Sequence, residues 1–199
     1  MKNFKIQGFL ISELENEALS QAIENYKERS KPELIQVLTN FLRDEITPQL
    51  VNIGFSKIVF KYDDIINDTI SDDIYFRGDL EALKILNHLN IKVSKTFKAA
   101  MKSGISYYKA CGTVLDNTST IYWGYGDPNH GAGKIIHEIL EIKETLRKYY
   151  STLRTSITRD LQILIDTNHD HRIIFSRAYK AGEYYTKEGI YLGRLKRLK

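Results

Sequence analysis

One cysteine, Cys111, is all that 199 residues contain, so no internal disulfide can form and a reducing cytoplasm is the expected compartment. Long hydrophobic runs are also missing. The longest apolar stretches, such as Ile58–Phe60 and Ile173–Phe175, fall far short of the roughly 20 residues that a bilayer span requires, so no membrane association is expected. The opening Met1-Lys-Asn-Phe-Lys-Ile-Gln7 has neither the apolar segment nor the small-residue cleavage site of a secretory leader. What the chain does have is 42% hydrophobic residues, enough to bury a real core in a single domain over 1–192 with a basic tail over 193–199.

The net charge of +4 conceals an asymmetry. Residues 1–90 carry 10 Lys and Arg against 15 Asp and Glu, whereas residues 91–199 carry 19 against 10. An acidic half joined to a basic half favours head-to-tail self-association, hence a homo-oligomer, or an anionic partner on the basic side.

Periodicity gives an α+β reading. Lys2–Ile11 alternates as a half-buried strand, and Ser12-Glu-Leu-Glu15 has the spacing of a capping box ahead of a helix with Leu19, Ile23 and Tyr26 inward. Ser30-Lys-Pro-Glu33 starts a second helix with Leu34, Leu38, Phe41 and Leu42 on one face, which Pro48 kinks or ends, or whose last turn resumes to Gly54. Phe55–Tyr62 and Asp73–Phe76 read as strands flanking the acidic Asp63–Asp73 segment, and Gly78-Asp79 opens a short helix over Leu80–Asn87. Ile91–Ser103 reads as a strand and a basic helix with Lys92, Lys95, Lys98 and Lys102 in line. Ile105–Cys111 and Thr118–Tyr125 form a hairpin.

The spine of the chain follows, an uninterrupted helix to Thr167 with Ile135, Ile139, Ile142, Leu146, Tyr149, Leu153, Ile157, Leu161 and Leu164 in steps of three or four. Beyond it come a strand Arg172–Phe175, a short helix, and strands Glu183–Thr186 and Ile190–Leu192 paired across Lys187-Glu-Gly189, then the tail. The fold expected is one antiparallel sheet of five to seven strands packed with two N-terminal helices and one long central-to-C-terminal helix.

Two segments carry a resemblance. The opening strand followed by Glu13-Leu-Glu-Asn-Glu17-Ala-Leu-Ser-Gln-Ala-Ile23-Glu-Asn-Tyr26, and the closing helix with Thr158-Arg-Asp160-Leu161 followed by Tyr184-Tyr185-Thr186-Lys187-Glu188-Gly189, resemble the start and end of a group of phage and prophage accessory proteins described as antitoxin-like. The likeness spans residues 3–30 and 150–190. Relatives place a Gly/Ser-rich segment after the second helix, and here Thr69–Gly78 stands in that place, with Phe76-Arg-Gly78-Asp79 as its echo. The resemblance implies a mobile-element origin and an accessory role toward a host, and it supplies no catalytic residues.

The loop Gly124-Tyr-Gly-Asp-Pro-Asn-His-Gly-Ala-Gly133 precedes the spine, where free backbone N–H groups and the helix dipole favour an anion. It is neither of the two common phosphate loops. Counting back from Gly133-Lys134 puts Pro128 where the first glycine of a Walker loop belongs and Ile135 where its hydroxyl belongs, and Asn129 replaces the third glycine of the dinucleotide pattern. A generic anion or nucleotide contact is left, with Gly126, Asn129, Gly131 and Gly133 offering backbone, His130 and Lys134 charge, and Trp123 and Tyr125 a stacking surface. A strand-to-helix turn uses the same residue types.

Neither a metal nor another cofactor is expected. The acidic segment lacks the register of a calcium loop, and His169 and His171 lack a third convergent ligand. The expected function is that of a non-enzymatic accessory or counter-defence protein, acting in the host cytoplasm, that sequesters or blocks an anionic host component such as a nucleotide signal. The alternatives are an antitoxin-like inhibitor of a host defence protein and a nucleic-acid-binding module that uses the basic tail.

Overall fold

The computed structural model describes residues 7–61, 75–102, 108–112, 119–123 and 136–194. In chain order the elements are β1 (Phe9–Leu10), a 3-10 turn (Ile11–Glu13), α1 (Asn16–Phe41), a π-helical turn (Leu42–Ile46), α2 (Thr47–Ile53), β2 (Phe55–Lys61), β3 (Tyr75–Leu80), α3 (Ala82–His88), α4 (Lys95–Lys102), β4 (Tyr108–Gly112), β5 (Ser119–Trp123), α5 (Ile136–His169), α6 (His171–Lys180), β6 (Glu183–Tyr185) and β7 (Tyr191–Arg194). The class is α+β. Its seven described strands form two antiparallel sheets, ordered β1-β6-β7 and β2-β3-β4-β5, in place of the one sheet expected. The chain divides into two compact units, Met1–Leu38 with Ile163–Lys199, and Thr39–Gln162.

In the first unit Ile11, Leu14, Ala22, Ile23, Tyr26, Ile174, Ala178 and Tyr185 make one apolar core. Burial of Ile11 and Leu14 holds the chain in a tight turn before α1, and the cap forms two residues earlier than the Ser12/Glu15 spacing would place it. The Glu13 carboxylate accepts a hydrogen bond from the Leu10 N–H at 2.7 Å, and α1 begins at Asn16. No second helix starts at Ser30. Pro32 lies inside α1, where its missing N–H and its ring cost about 3 kcal/mol, yet Ile23, Tyr26, Leu34 and Leu38 form one buried stripe on either side of it. Tertiary burial outweighs the local break.

Arg172–Phe175 is helical as well. The Asp170 carboxylate accepts from the N–H groups of Arg172 (2.7 Å) and Ile173 (3.4 Å), which starts α6 and turns Ile174 and Ala178 into the core. The β6–β7 hairpin forms as expected, but β7 runs on through Gly193 and Arg194, so the chain is still in the sheet where a tail was expected to begin.

The second unit is a meander with α3 and α4 inserted between β3 and β4. Beyond α1 the helix resumes, as the second of the two readings of Pro48 has it. The π turn makes the adjustment: the Thr47 N–H and hydroxyl both reach the Leu42 carbonyl, the hydroxyl at 2.8 Å, and Pro48 falls in the first turn of α2. Gly54, at φ 115°, closes α2 in the left-handed conformation. Gly78 and Asp79 pair with Ala110 and Lys109, so they extend β3 and do not open a helix. Residues 91–94 form no strand, while the basic helix after them is α4. The acidic Asp63–Asp73 segment lies outside the described residues.

The spine helix is present as α5, 34 residues without a break. Its buried stripe is Ile142, Leu146, Tyr150, Arg154, Ile157, Leu161 and Ile165, whereas Tyr149, Leu153 and Leu164 are half-buried. A rule that follows apolar letters passes over Arg154 and drifts one position to Tyr149 and Leu153. The stripe keeps its phase because a long arginine stem can pack along an apolar surface.

Gly189 makes the tightest approach in the first unit. It sits at φ 84° in the turn that the Gly189 N–H closes onto the Thr186 carbonyl at 3.0 Å, and a Cβ there would overlap the Ala18 carbonyl oxygen of α1 and stand 3.0 Å from the Ala22 nitrogen. Gly189→Ala is expected to cost more than about 2 kcal/mol, the positive φ and the backbone overlap adding together. Urea unfolding of the variant against wild type measures it.

Candidate functional site

Of the eight residues that the sequence nominates, Trp123 is the one within the described residues. It ends β5, where its backbone pairs with Tyr108 of β4. Tyr125, Gly126, Asn129, His130, Gly131, Gly133 and Lys134 lie outside them. The segment that carries them runs from the end of β5 to the start of α5 at Ile136.

The first turn of α5 is itself tied down. The Glu138 carboxylate accepts from the Ser94 N–H and from the Ser94 hydroxyl, both at 2.6 Å, while the Phe97 N–H donates to the Ser94 Oγ at 3.0 Å. Ser94 therefore caps α4, and a carboxylate from α5 sits on the positive end of that helix. Lys92, Lys95 and Lys98 are exposed around this start. The arrangement fixes the first turn of α5 against α4 beside a cationic surface, and one internal anion is already held there.

A second constellation, in the other unit, is one that sequence reasoning missed. Glu183 is fully buried at the head of β6, and its two oxygens accept five hydrogen bonds. Arg29 of α1 binds both oxygens, at 2.9 and 3.4 Å, Arg194 of β7 donates through Nε (3.2 Å) and Nη2 (3.1 Å), and the Tyr185 hydroxyl donates at 2.8 Å. The Arg29 guanidinium also lies 3.4 Å from the centre of the Tyr191 ring, a stacked cation–π contact. Burial alone would push the Glu183 carboxyl up. The hydrogen bonds from Arg29 and Tyr185, the Arg29 charge and the Arg194 hydrogen bond outweigh it and hold the carboxyl below the ordinary carboxylate range. The Tyr185 hydroxyl moves the other way, raised by burial and by donating to a carboxylate.

Beside this cluster is a cleft of about 30 Å³ lined by Tyr26, Arg29, Ser30, Glu33, Glu183 and Arg194. That is room for a water and not for a nucleotide. Both guanidiniums are spent on Glu183, so the cluster is a keystone of the first unit and not a ligand site. It also takes Arg194 out of the basic tail to which nucleic-acid binding was assigned. The one signal for it in the sequence is a carboxylate that opens an aromatic strand, Glu183-Tyr-Tyr185, which period-two alternation alone does not distinguish from an exposed edge.

Asp170 of the His169-Asp-His171 run is committed to capping α6, and among the described residues no group of three or more His, Cys, Asp or Glu side chains is placed to hold a metal ion. Among them too, no helix is long and apolar enough to cross a membrane. Comparison with protein-family models, curated proteins and solved structures finds no match to this chain.

The buried carboxylate makes a pH-dependent prediction. Since its folded pKa lies below the unfolded value of about 4.3, the unfolded chain takes up the proton first, so the stabilisation is full above about pH 5 and is lost as the pH falls through the folded pKa. Glu183→Gln should cost about 3–5 kcal/mol at pH 7, because it leaves Arg29 without its counter-charge, and should flatten the loss of stability below pH 5. Thermal melts from pH 3 to pH 8 check both.

Proposed function

We propose that this chain is a non-enzymatic accessory protein of phage type that binds an anionic host component, a nucleotide signal foremost, through the segment Gly124–Lys134 with Trp123 and Tyr125. The observation that carries the reading is the order strand β5, glycine-rich segment, helix α5: Trp123 is the last residue of the strand and Ile136 the first of the helix. A segment so placed leads into the positive end of a 34-residue helix. The exposed Lys92, Lys95 and Lys98 beside the anchored first turn of α5 add cationic surface to the same unit. Phosphate would be held by backbone N–H groups with His130 and Lys134, and a base by the rings of Trp123 and Tyr125.

A second reading, an antitoxin-like inhibitor that covers a host defence protein, draws on Leu140, an apolar side chain 57% exposed on α5. A fixed complex with a host protein and no response to nucleotides would favour it.

Thermal-shift measurements with cyclic and linear nucleotides test the first reading. A ligand at 100 times its Kd adds about 2.7 kcal/mol, a rise of roughly 5–10 °C for a chain of this size. Lys134→Ala is expected to abolish the rise while leaving the unliganded melt unchanged. A panel of nucleotides that leaves the melting temperature where it was sinks the proposal.

A further inference from the structure

The middle of α5 carries a feature that the loop reading does not use. From Thr145 to Arg159 no acidic residue occurs, while Arg147, Lys148, Arg154 and Arg159 do. Along one face of this stretch Lys148, Ser151, Thr152, Thr155, Ser156 and Arg159 line an open cleft of about 560 Å³. The small hydroxyl side chains form its floor and the two long cations its ends.

Both end cations project into solvent, with side chains 73% and 71% exposed, and each makes only a long ion pair: Lys148 with Glu144 at 3.9 Å and Arg159 with Asp160 at 3.7 Å. Glu144 is already held by Arg147 through two hydrogen bonds of 2.9 Å. Thr152 and Thr155 donate to the carbonyls of Lys148 and Ser151, so their oxygens lie flat against the helix and keep the floor low.

We infer that this face of α5 binds the phosphate backbone of a nucleic-acid duplex without reading its sequence. Three features decide the class. Eleven residues of helix separate Lys148 from Arg159 by about 16 Å along the axis, a gap that no single phosphate bridges but a chain of phosphates does. Lysine, arginine and hydroxyl side chains are the types that contact phosphate and sugar oxygens. The lining holds no aromatic ring, and a single strand draws much of its binding from stacking on rings. The proposal stands apart from the loop reading, since none of its residues belongs to Gly124–Lys134.

Fluorescence anisotropy of the full chain with a mixed-sequence 20-base-pair duplex and with the matching single strand, at 50 and 200 mM salt, tests it. Duplex binding that weakens with salt is expected. In K148A/R159A it should weaken at least tenfold at the lower salt, and the slope of log affinity on log salt should fall by about 1.8, or 0.9 for each phosphate that is no longer neutralised. E144Q, which removes the acid beside Lys148, should tighten binding. R172A/K180A, which removes two exposed cations from α6, should bind as wild type does. Both substituted pairs are solvent-exposed, so unchanged thermal melts separate lost binding from lost fold. Absence of duplex binding, an equal loss in R172A/K180A, no loss in K148A/R159A or tighter binding to the single strand would each overturn the proposal. A nucleotide-induced thermal shift bears on the loop alone.

Discussion

Glu183 is the constraint on which the first unit depends. Taking a carboxylate out of water costs several kcal/mol, and only close, well-aligned counter-charges offset it. Arg29 comes from α1, 154 residues away in the chain, and Arg194 comes from the neighbouring strand. The carboxylate is tolerable only when helix and hairpin are both in place, so this polar centre couples elements that an apolar core alone would hold with less positional precision. The Tyr191 ring over Arg29 and the Gly189 turn against Ala18 complete the same junction.

The second unit is organised by different means. Its sheet is a simple meander, and among the described residues its buried side chains are Leu42, Ile46, Leu50, Phe55, Ile85, Leu86, Phe97 and one stripe of α5. Polar anchoring appears at the Ser94–Glu138 link, which caps one helix with the first turn of another. This fixes the first turn of α5 against α4. The long polar face of α5 is then left to solvent or to a partner.

Much of the local structure was legible in the chain. The β4–β5 and β6–β7 hairpins and the length of α5 follow from strand alternation, turn residues and helical periodicity, all of which act over a few residues. At Pro32 and at the Glu13 cap a local preference was overridden by burial elsewhere, whereas at Arg172–Phe175 the Asp170 cap set the helix against a β-branched run. At Arg154 the apolar pattern missed a charged residue in a buried stripe. Of the candidate site, the strand that ends at Trp123 and the helix that follows were readable, whereas the local pattern at Glu183-Tyr-Tyr185 reads equally as an exposed edge.

By itself, then, the sequence determined the α+β class, the hairpins, the spine and the charge asymmetry, because these depend on neighbours within about one or two turns. Only the tertiary structure decided that the strands divide into two sheets, that α1 runs through its proline, that Arg194 belongs to a buried ion cluster and that Lys148 and Arg159 bound one open face. Each of those depends on groups far apart in the chain meeting at ångström distances, and the free energy that selects them, burial set against desolvation, exists only once they meet.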